Sequence, residues 1–224
     1  MHIQQIKKLY ALDATKNYGF TERGIRTAEN RLGIRFPKEL HRYYAELGKA
    51  KKVNASHNRL LPFNELIFKD DYLIIYEENQ EVCFWGIHKT DLDKESPPVW
   101  VGNSLEDGVL EWHTSHQNLA DFFLDMAFYN GTMGGLRYFA NVLDYEKVSP
   151  QAVDFIQKNR TKILTFDDIY QYSYTDDFQE VVIICHWKTG EAVAVFVGTQ
   201  NQTRFDALLE LFGDENWSYT SYDD

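Results

Sequence analysis

A chain of 224 residues, 44% apolar and 15% aromatic, can bury a sizeable core, which excludes wholesale disorder and suits one large domain or two modest ones. The net charge of −11 is unevenly spread, with 13 Lys and Arg against 5 Asp and Glu up to residue 60 and 10 against 29 beyond it. This argues against general nucleic-acid binding by the whole chain and for a partner that is itself basic; the competing reading is that an acidic surface only keeps the protein soluble.

Ile3, Ile6, Leu9 and Tyr10 recur at helical spacing and predict a short amphipathic helix over residues 2–12. Asn17, Tyr18 and Gly19 break that pattern. Thr21 then suits an N-cap, with Glu22 in the first turn of a helix carrying Ile25, Ala28 and Leu32, and Gly33 supplies a left-handed terminus. Phe36 and Pro37 restart the chain. Leu40, Tyr43, Tyr44 and Leu47 follow at i, i+3, i+4 and i+7 before Gly48, so residues 21–48 read as a tight helical hairpin. Residues 49–59, polar and basic, read as an exposed loop leading to a short apolar segment at 60–63.

The rest of the chain is organised around residues 72–101. Two runs rich in β-branched and aromatic side chains, 72–76 and 82–87, flank the polar cluster Glu77, Glu78, Asn79, Gln80 and Glu81, which is hairpin spacing. Leu73 and Ile75 alternate with Tyr72, Ile74 and Tyr76, so both faces are apolar and both are expected to be covered. Pro97 and Pro98 lack the N–H that a central ladder needs and mark the start of a strand at 99–101. A strand at 109–112 follows, then a helix over 115–129 with Leu119, Phe122, Phe123, Met126 and Ala127 on one side.

Gly131, Gly134 and Gly135 punctuate the chain, dividing a core at 1–130 from a C-terminal extension at 131–224 packed on the same domain. The extension reads as a strand at 136–142, a helix over 150–158 capped by Ser149, and strands at 169–174, 181–186 and 192–197, the last two joined through Lys188, Thr189 and Gly190. A closing helix through Phe205, Leu208, Leu209 and Phe212 ends at Gly213. The tail from Trp217 is polar and acidic and is expected to fray. The connections are too short for crossover helices. The fold class is therefore α+β: a central, mostly antiparallel sheet covered by the N-terminal helical hairpin and later helices, with a C-terminal α/β extension.

His113 and His116 form an H-x-x-H preceded by Glu111, which would supply metal ligands on a helix. Residues 112–115 read instead as a strand-to-helix junction, and no second cluster completes a coordination set, so no metal and no cofactor is expected. Cys185 and His186, adjacent on a strand, point to opposite faces and cannot act together as nucleophile and base. With Cys83 far away, neither a disulfide framework nor a zinc site is indicated, and a reduced, cytoplasmic setting is expected.

Nucleotide-binding and acyl-transfer motifs are absent. The pairs Asp70-Asp71, Glu77-Glu78, Asp167-Asp168 and Asp176-Asp177 fall mostly at turns, with nothing aligning two of them across a cleft. The basic set Arg23, Arg26, Arg31, Arg35, Lys38, Arg42, Lys49, Lys51 and Lys52 lies mainly on the solvated sides of two helices. No catalytic residue, no nucleic acid and no membrane is expected: the opening stretch lacks the apolar length of a secretory signal, and no run approaches the roughly 20 apolar residues that span a bilayer.

The stretch IRTAENRLGIRFPKELHRYYAELG resembles the opening signature of the SUKH superfamily, in which a helix with an inward Glu leads to L-G-[IV]-x-[LF]-P and to a second helix that ends at Gly. Glu77-Glu78-Asn79-Gln80, Trp85-Gly86 and Pro97-Pro98-Val99 look like its central strands, and Trp112 with the helix of Leu119 to Met126 fits its next element. The resemblance covers residues 21–129; residues 169–217 are similar in layout to the tail of longer members.

What the resemblance implies is a non-enzymatic role. Many bacterial members are immunity proteins that bind and neutralise a cognate toxin encoded beside them, often a nuclease; related fungal proteins, the cell-wall glucan synthesis regulators, act through protein contacts. An acidic surface suits a basic nuclease domain, since it can occupy a groove meant for phosphates and steer association. The expected contacts are Glu77, Glu78 and Glu81, then Asp91, Asp93 and Glu95, and Glu106, Asp107 and Glu111, each of which reads equally as part of a solvated turn. The alternative for the whole chain is a scaffold or regulator of endogenous partners.

Overall fold

The computed structural model describes residues 2–104, 109–166 and 169–223. The chain is α+β and divides into two compact units, one formed by residues 1–3 and 14–126, the other by residues 4–13 and 127–224, each with its own six-stranded antiparallel sheet. Helix α1 (Ile3–Leu9) buries Ile6 and Leu9 in the second unit, as their spacing predicts.

In the first unit, α2 (Glu22–Leu32) begins where Thr21 Oγ1 accepts the Gly24 N–H at 3.2 Å. It ends at Gly33, whose φ of 69° lets the next N–H, that of Ile34, return to the Glu29 carbonyl. Helix α3 (Lys38–Glu46) buries Leu40, Tyr43 and Tyr44 completely. Gly48 serves close approach: a Cβ there would lie 2.7 Å from the Phe20 ring and from the Tyr44 carbonyl. The expected exposed loop at 49–59 instead contains a single-turn helix, α4 (Lys51–Asn54), with Val53 and Asn54 buried. Asn54 tolerates burial because it accepts the Tyr43 hydroxyl at 2.7 Å and donates to the Leu47 carbonyl at 2.7 Å, and a satisfied amide carries little desolvation penalty.

The first sheet comprises β1 (Arg59–Leu60), β2 (Ile67–Lys69), β3 (Tyr72–Glu77), β4 (Cys83–His88), β5 (Val99–Ser104) and β6 (Leu110–His116), in the order β1-β3-β4-β5-β6 with β2 also on β3. Strands β1 and β2 share one edge of β3, with Leu60 opposite Tyr76 and Lys69 opposite Tyr72. Asp70 and Asp71 join β2 to β3 with φ of 49° and 66°, the paired positive dihedrals of a two-residue hairpin turn. Strand β6 runs four residues beyond the expected 112, because its pairing with β5 continues until His116 meets Val99. Helix α5 (Leu119–Asn130) consequently starts later than expected, with Asn118 Oδ1 accepting the Asp121 N–H at 2.9 Å. Phe122 meets Tyr76 edge-on at 5.6 Å and Phe123 stacks on Tyr43 at 3.7 Å, so the inner face of this sheet packs on α5, and through it on α3.

The second sheet has β7 (Tyr138–Val142), β8 (Thr161–Phe166), β9 (Gln171–Thr175), β10 (Glu180–His186), β11 (Ala192–Thr199) and β12 (Tyr219–Thr220), ordered β12-β7-β11-β10-β9-β8. Helices α6 (Pro150–Asn159), capped by Ser149, and α7 (Gln202–Phe212), capped by Asn201, press Ile156, Phe205 and Leu208 onto Val182, Ile184, Val195 and Val197. The described part of the tail is tied down where fraying was expected. Tyr219 pairs with Asn141 on β7, the Trp217 indole donates to the Leu209 carbonyl at 3.3 Å, and the Tyr222 hydroxyl donates to Asp206 at 2.6 Å. Beside α7, the buried Glu180 carboxylate is clamped by Arg160 at 2.5 Å and Arg204 at 3.1 Å, which together neutralise it.

Candidate functional site

The acidic side chains singled out by the sequence fall at opposite ends of the first sheet. Glu77, Glu78 and Glu81 sit at the β3–β4 turn, and Glu111 joins that end through the register Cys83, Asn103, Glu111 across β4, β5 and β6. Asp91, Asp93 and Glu95 lie on the β4–β5 connection, at the far end of six-residue strands. At about 3.3 Å per residue the two groups stand close to 20 Å apart, so they do not form one patch. Glu106 and Asp107 lie outside the described residues.

Most of these carboxylates are already engaged. Glu77 is opposite Arg59, whose Nε donates to it at 2.6 Å. Glu78 Oε2 accepts the N–H groups of Gln80 at 2.7 Å and Val82 at 3.4 Å and so shapes the turn in which Glu81 takes a φ of 60°. Burial, with the Glu78 charge second, pushes the neighbouring Cys83 thiol up to about 11. Asp91 pairs with Lys94 at 2.6 Å, Glu95 with Lys38 at 2.6 Å, and Glu111 stands 3.5 Å from His113. Glu81 and Asp93 are the described candidates whose side chains have no such partner and face water.

The outer face of the same sheet carries what the sequence reading passed over. Gly86 on β4 and Gly102 on β5 leave a trough, and a Cβ on Gly102 would lie 2.9 Å from three atoms of the Trp112 ring. Trp112 therefore lies flat against the sheet and stacks on Tyr72 at 3.9 Å and 15°. Trp100 at 5.9 Å and His88 at 4.9 Å complete the layer around Tyr72, and Lys69 stands 5.2 Å above the Phe84 ring beside it. All five rings are half-buried, so this face is lined by its own aromatics where covering elements were expected. Burial, then Asp91 and Asp71, raises the Tyr72 hydroxyl above its ordinary value, which sets both carboxylates at the border of the layer. Glycines in mid-strand with Trp and Tyr at alternate positions are the signal that could have revealed it.

The remaining clusters resolve into structural roles. His113 is exposed beside Glu111, whereas His116 is buried, with Nδ1 at 2.8 Å from Ser115 Oγ and Nε2 at 3.4 Å from the buried Asp125 of α5. A strand, not a helix, carries the H-x-x-H, leaving His113 exposed while His116 packs edge-on against Phe122 of α5. Among the described residues no three His, Cys, Asp or Glu side chains converge as a metal site. Cys185 lies 3.9 Å from Gln171, and a bulge separates it from His186.

Of the basic set, Arg31 donates to the carbonyls of Phe63 and Leu66, Arg35 pairs with Glu29 and Arg42 with Glu46. The inward Glu29 also accepts the Phe36 N–H at 2.8 Å, which ties the segment after Gly33 back onto α2. No described helix is long and apolar enough to cross a membrane. Comparison of the chain with family models, curated proteins and solved structures finds no match.

Proposed function

We propose that this chain is a non-enzymatic immunity protein that works in the cytoplasm by binding and neutralising a cognate protein toxin, a basic nuclease-type domain. The observation that carries the reading is the Tyr72, Trp100, Trp112 layer on a rigid sheet with Asp71 and Asp91 at its border. Large aromatic side chains held in place lose little entropy on binding and dominate the energetics of protein interfaces, and flanking carboxylates favour a cationic partner. The strongly acidic balance beyond residue 60 adds long-range steering toward such a partner. The SUKH-like motifs supply the choice of a toxin as that partner.

The test begins with the gene beside this one. Its product, expressed alone, should harm the host and should be neutralised by co-expression of this chain. Purified together, the two should bind, with Trp112→Ala weakening affinity at least about tenfold and the double reversal Glu81→Lys, Asp93→Lys slowing association at low salt. A harmless neighbour, or one that fails to bind, overturns the proposal. The second reading, a scaffold for endogenous partners, draws on the same aromatic layer, which is indifferent to a partner's activity; a genomic setting without a toxin gene favours it.

A further inference from the structure

The second unit contains a groove of about 550 Å³ at the edge of its sheet core, with which it shares Tyr172 and Tyr174. Its floor is Tyr172 and Tyr174, alternate residues of β9 and thus on one face; Gln157 at the end of α6 forms one wall, and the β10–β11 turn with Trp187 and Lys188 forms the other. Lys162 enters from the edge strand β8 and holds its ammonium 4.6 Å above the Tyr172 ring and 5.9 Å above that of Tyr174. It has no carboxylate partner among the described residues, and the ring faces of Tyr172 and Tyr174 are what it meets there. Trp187 leaves 57% of its surface in water at the rim. His186 rests edge-on against Tyr172 at 5.3 Å, and burial foremost, with Lys162 contributing, keeps it below the ordinary imidazole value. It therefore offers a neutral ring to a ligand at neutral pH, leaving the cationic role to the lysines.

We infer that this groove is a binding site for a planar aromatic ring bearing an anionic group, a molecule of mononucleotide size, stacked on the exposed Trp187 indole with its anion on Lys162. The volume lies within the few hundred to about 1,000 Å³ usual for small-ligand sites. The pairing of an exposed indole with an ammonium that meets no described carboxylate selects this chemistry: an aromatic without charge leaves the lysine unanswered, and a bare anion leaves the indole in water. The chain as a whole is strongly acidic, so a local cationic groove would admit small anions more readily than a long polyanion.

The full chain is titrated with AMP, with adenosine and with inorganic phosphate, and binding is followed by tryptophan fluorescence and calorimetry. AMP should bind more tightly than either half. Lys162→Gln should weaken AMP about tenfold and leave adenosine nearly unchanged, and Trp187→Ala should weaken AMP and adenosine alike while sparing phosphate. Both side chains are exposed, and an unchanged thermal transition and far-UV spectrum certify the variants as folded. No saturable AMP binding at millimolar concentration overturns the inference, as does AMP affinity retained in the Lys162→Gln, Trp187→Ala double variant. A single-stranded oligonucleotide that binds far more tightly than AMP, with a steep salt dependence, overturns the small-ligand assignment. The toxin test above is independent of every one of these outcomes.

Discussion

Replacing Glu29 by Ala probes the device that holds the helical hairpin to the rest of the first unit. The carboxylate is 5% exposed and accepts the buried Phe36 N–H at 2.8 Å. A hydrogen bond to a charged acceptor contributes about 1.5–3 kcal/mol, and Ala leaves the Phe36 N–H without its carboxylate acceptor. The second partner, Arg35, is 78% exposed at its side chain and adds under about 1 kcal/mol after solvent screening. The expected loss is roughly 3 kcal/mol, or about 6–12 °C in the melting temperature of a chain of this size. Urea unfolding followed by tryptophan fluorescence measures it. Glu29→Gln, which keeps an acceptor and loses the charge, should cost about half as much, and Arg35→Ala about 1 kcal/mol or less. If Arg35→Ala proved as costly as Glu29→Ala, or if Glu29→Ala cost less than about 1 kcal/mol, the assignment of Glu29 as the acceptor that fastens Phe36 would be wrong.

Gly102→Val places side-chain atoms where the Trp112 ring lies, so Trp112 must leave the trough; about 1–3 kcal/mol of stability and the near-UV circular dichroism of the Tyr72 stack should be lost, and an unaltered near-UV spectrum would contradict the trough. The Cys83 thiol, pushed up to about 11, should react with iodoacetamide at pH 8 about 100-fold more slowly than an unperturbed thiol, and a rate near that of free cysteine would refute the burial argument. Burial lowers His57 and His186, so both resist protonation in the folded state and the unfolded chain takes up more protons below the ordinary value of 6.5. Their contribution to stability is present at neutral pH and is lost as pH falls below 6.5; urea midpoints at pH 7.5 and 5.5 should show it, with His186→Asn reducing the difference, and an equal or higher midpoint at pH 5.5 would refute it.

Much of the fold was legible because local physics decides it. Thr21, Ser149 and Gly33 act where their caps predict, and the Tyr72 to His88 hairpin forms where β-branched runs flank a polar cluster. Four strands escaped notice, the two-residue β1 and β12 together with β2 and β8, for physical reasons. The residues of β2 are so few that their pairing depends on β3 being present, and β8, directly after α6, becomes a strand through β9. Residues 49–59 and the tail from Trp217 carry polar side chains that suggest exposure, yet Asn54 and Trp217 find their partners only in the folded chain. The acidic candidates were legible as residues and illegible as a surface: strand direction places Glu78 and Asp93 at opposite ends of one sheet, and Arg59, Lys94 and Lys38 meet carboxylates from distant parts of the sequence or across a turn.

The sequence by itself determined the helix ends set by Thr21, Gly33 and Ser149, the antiparallel α+β class and the sign of the charge beyond residue 60, since each depends on neighbours a few residues away or on composition alone. The tertiary structure decided which carboxylates are already answered by a cation, that Gly86 and Gly102 open a trough for Tyr72 and Trp112, and that Lys162 stands over two tyrosines. Those are register effects: one residue of slip in a strand turns every side chain to the other face, and only the assembled sheet fixes the register.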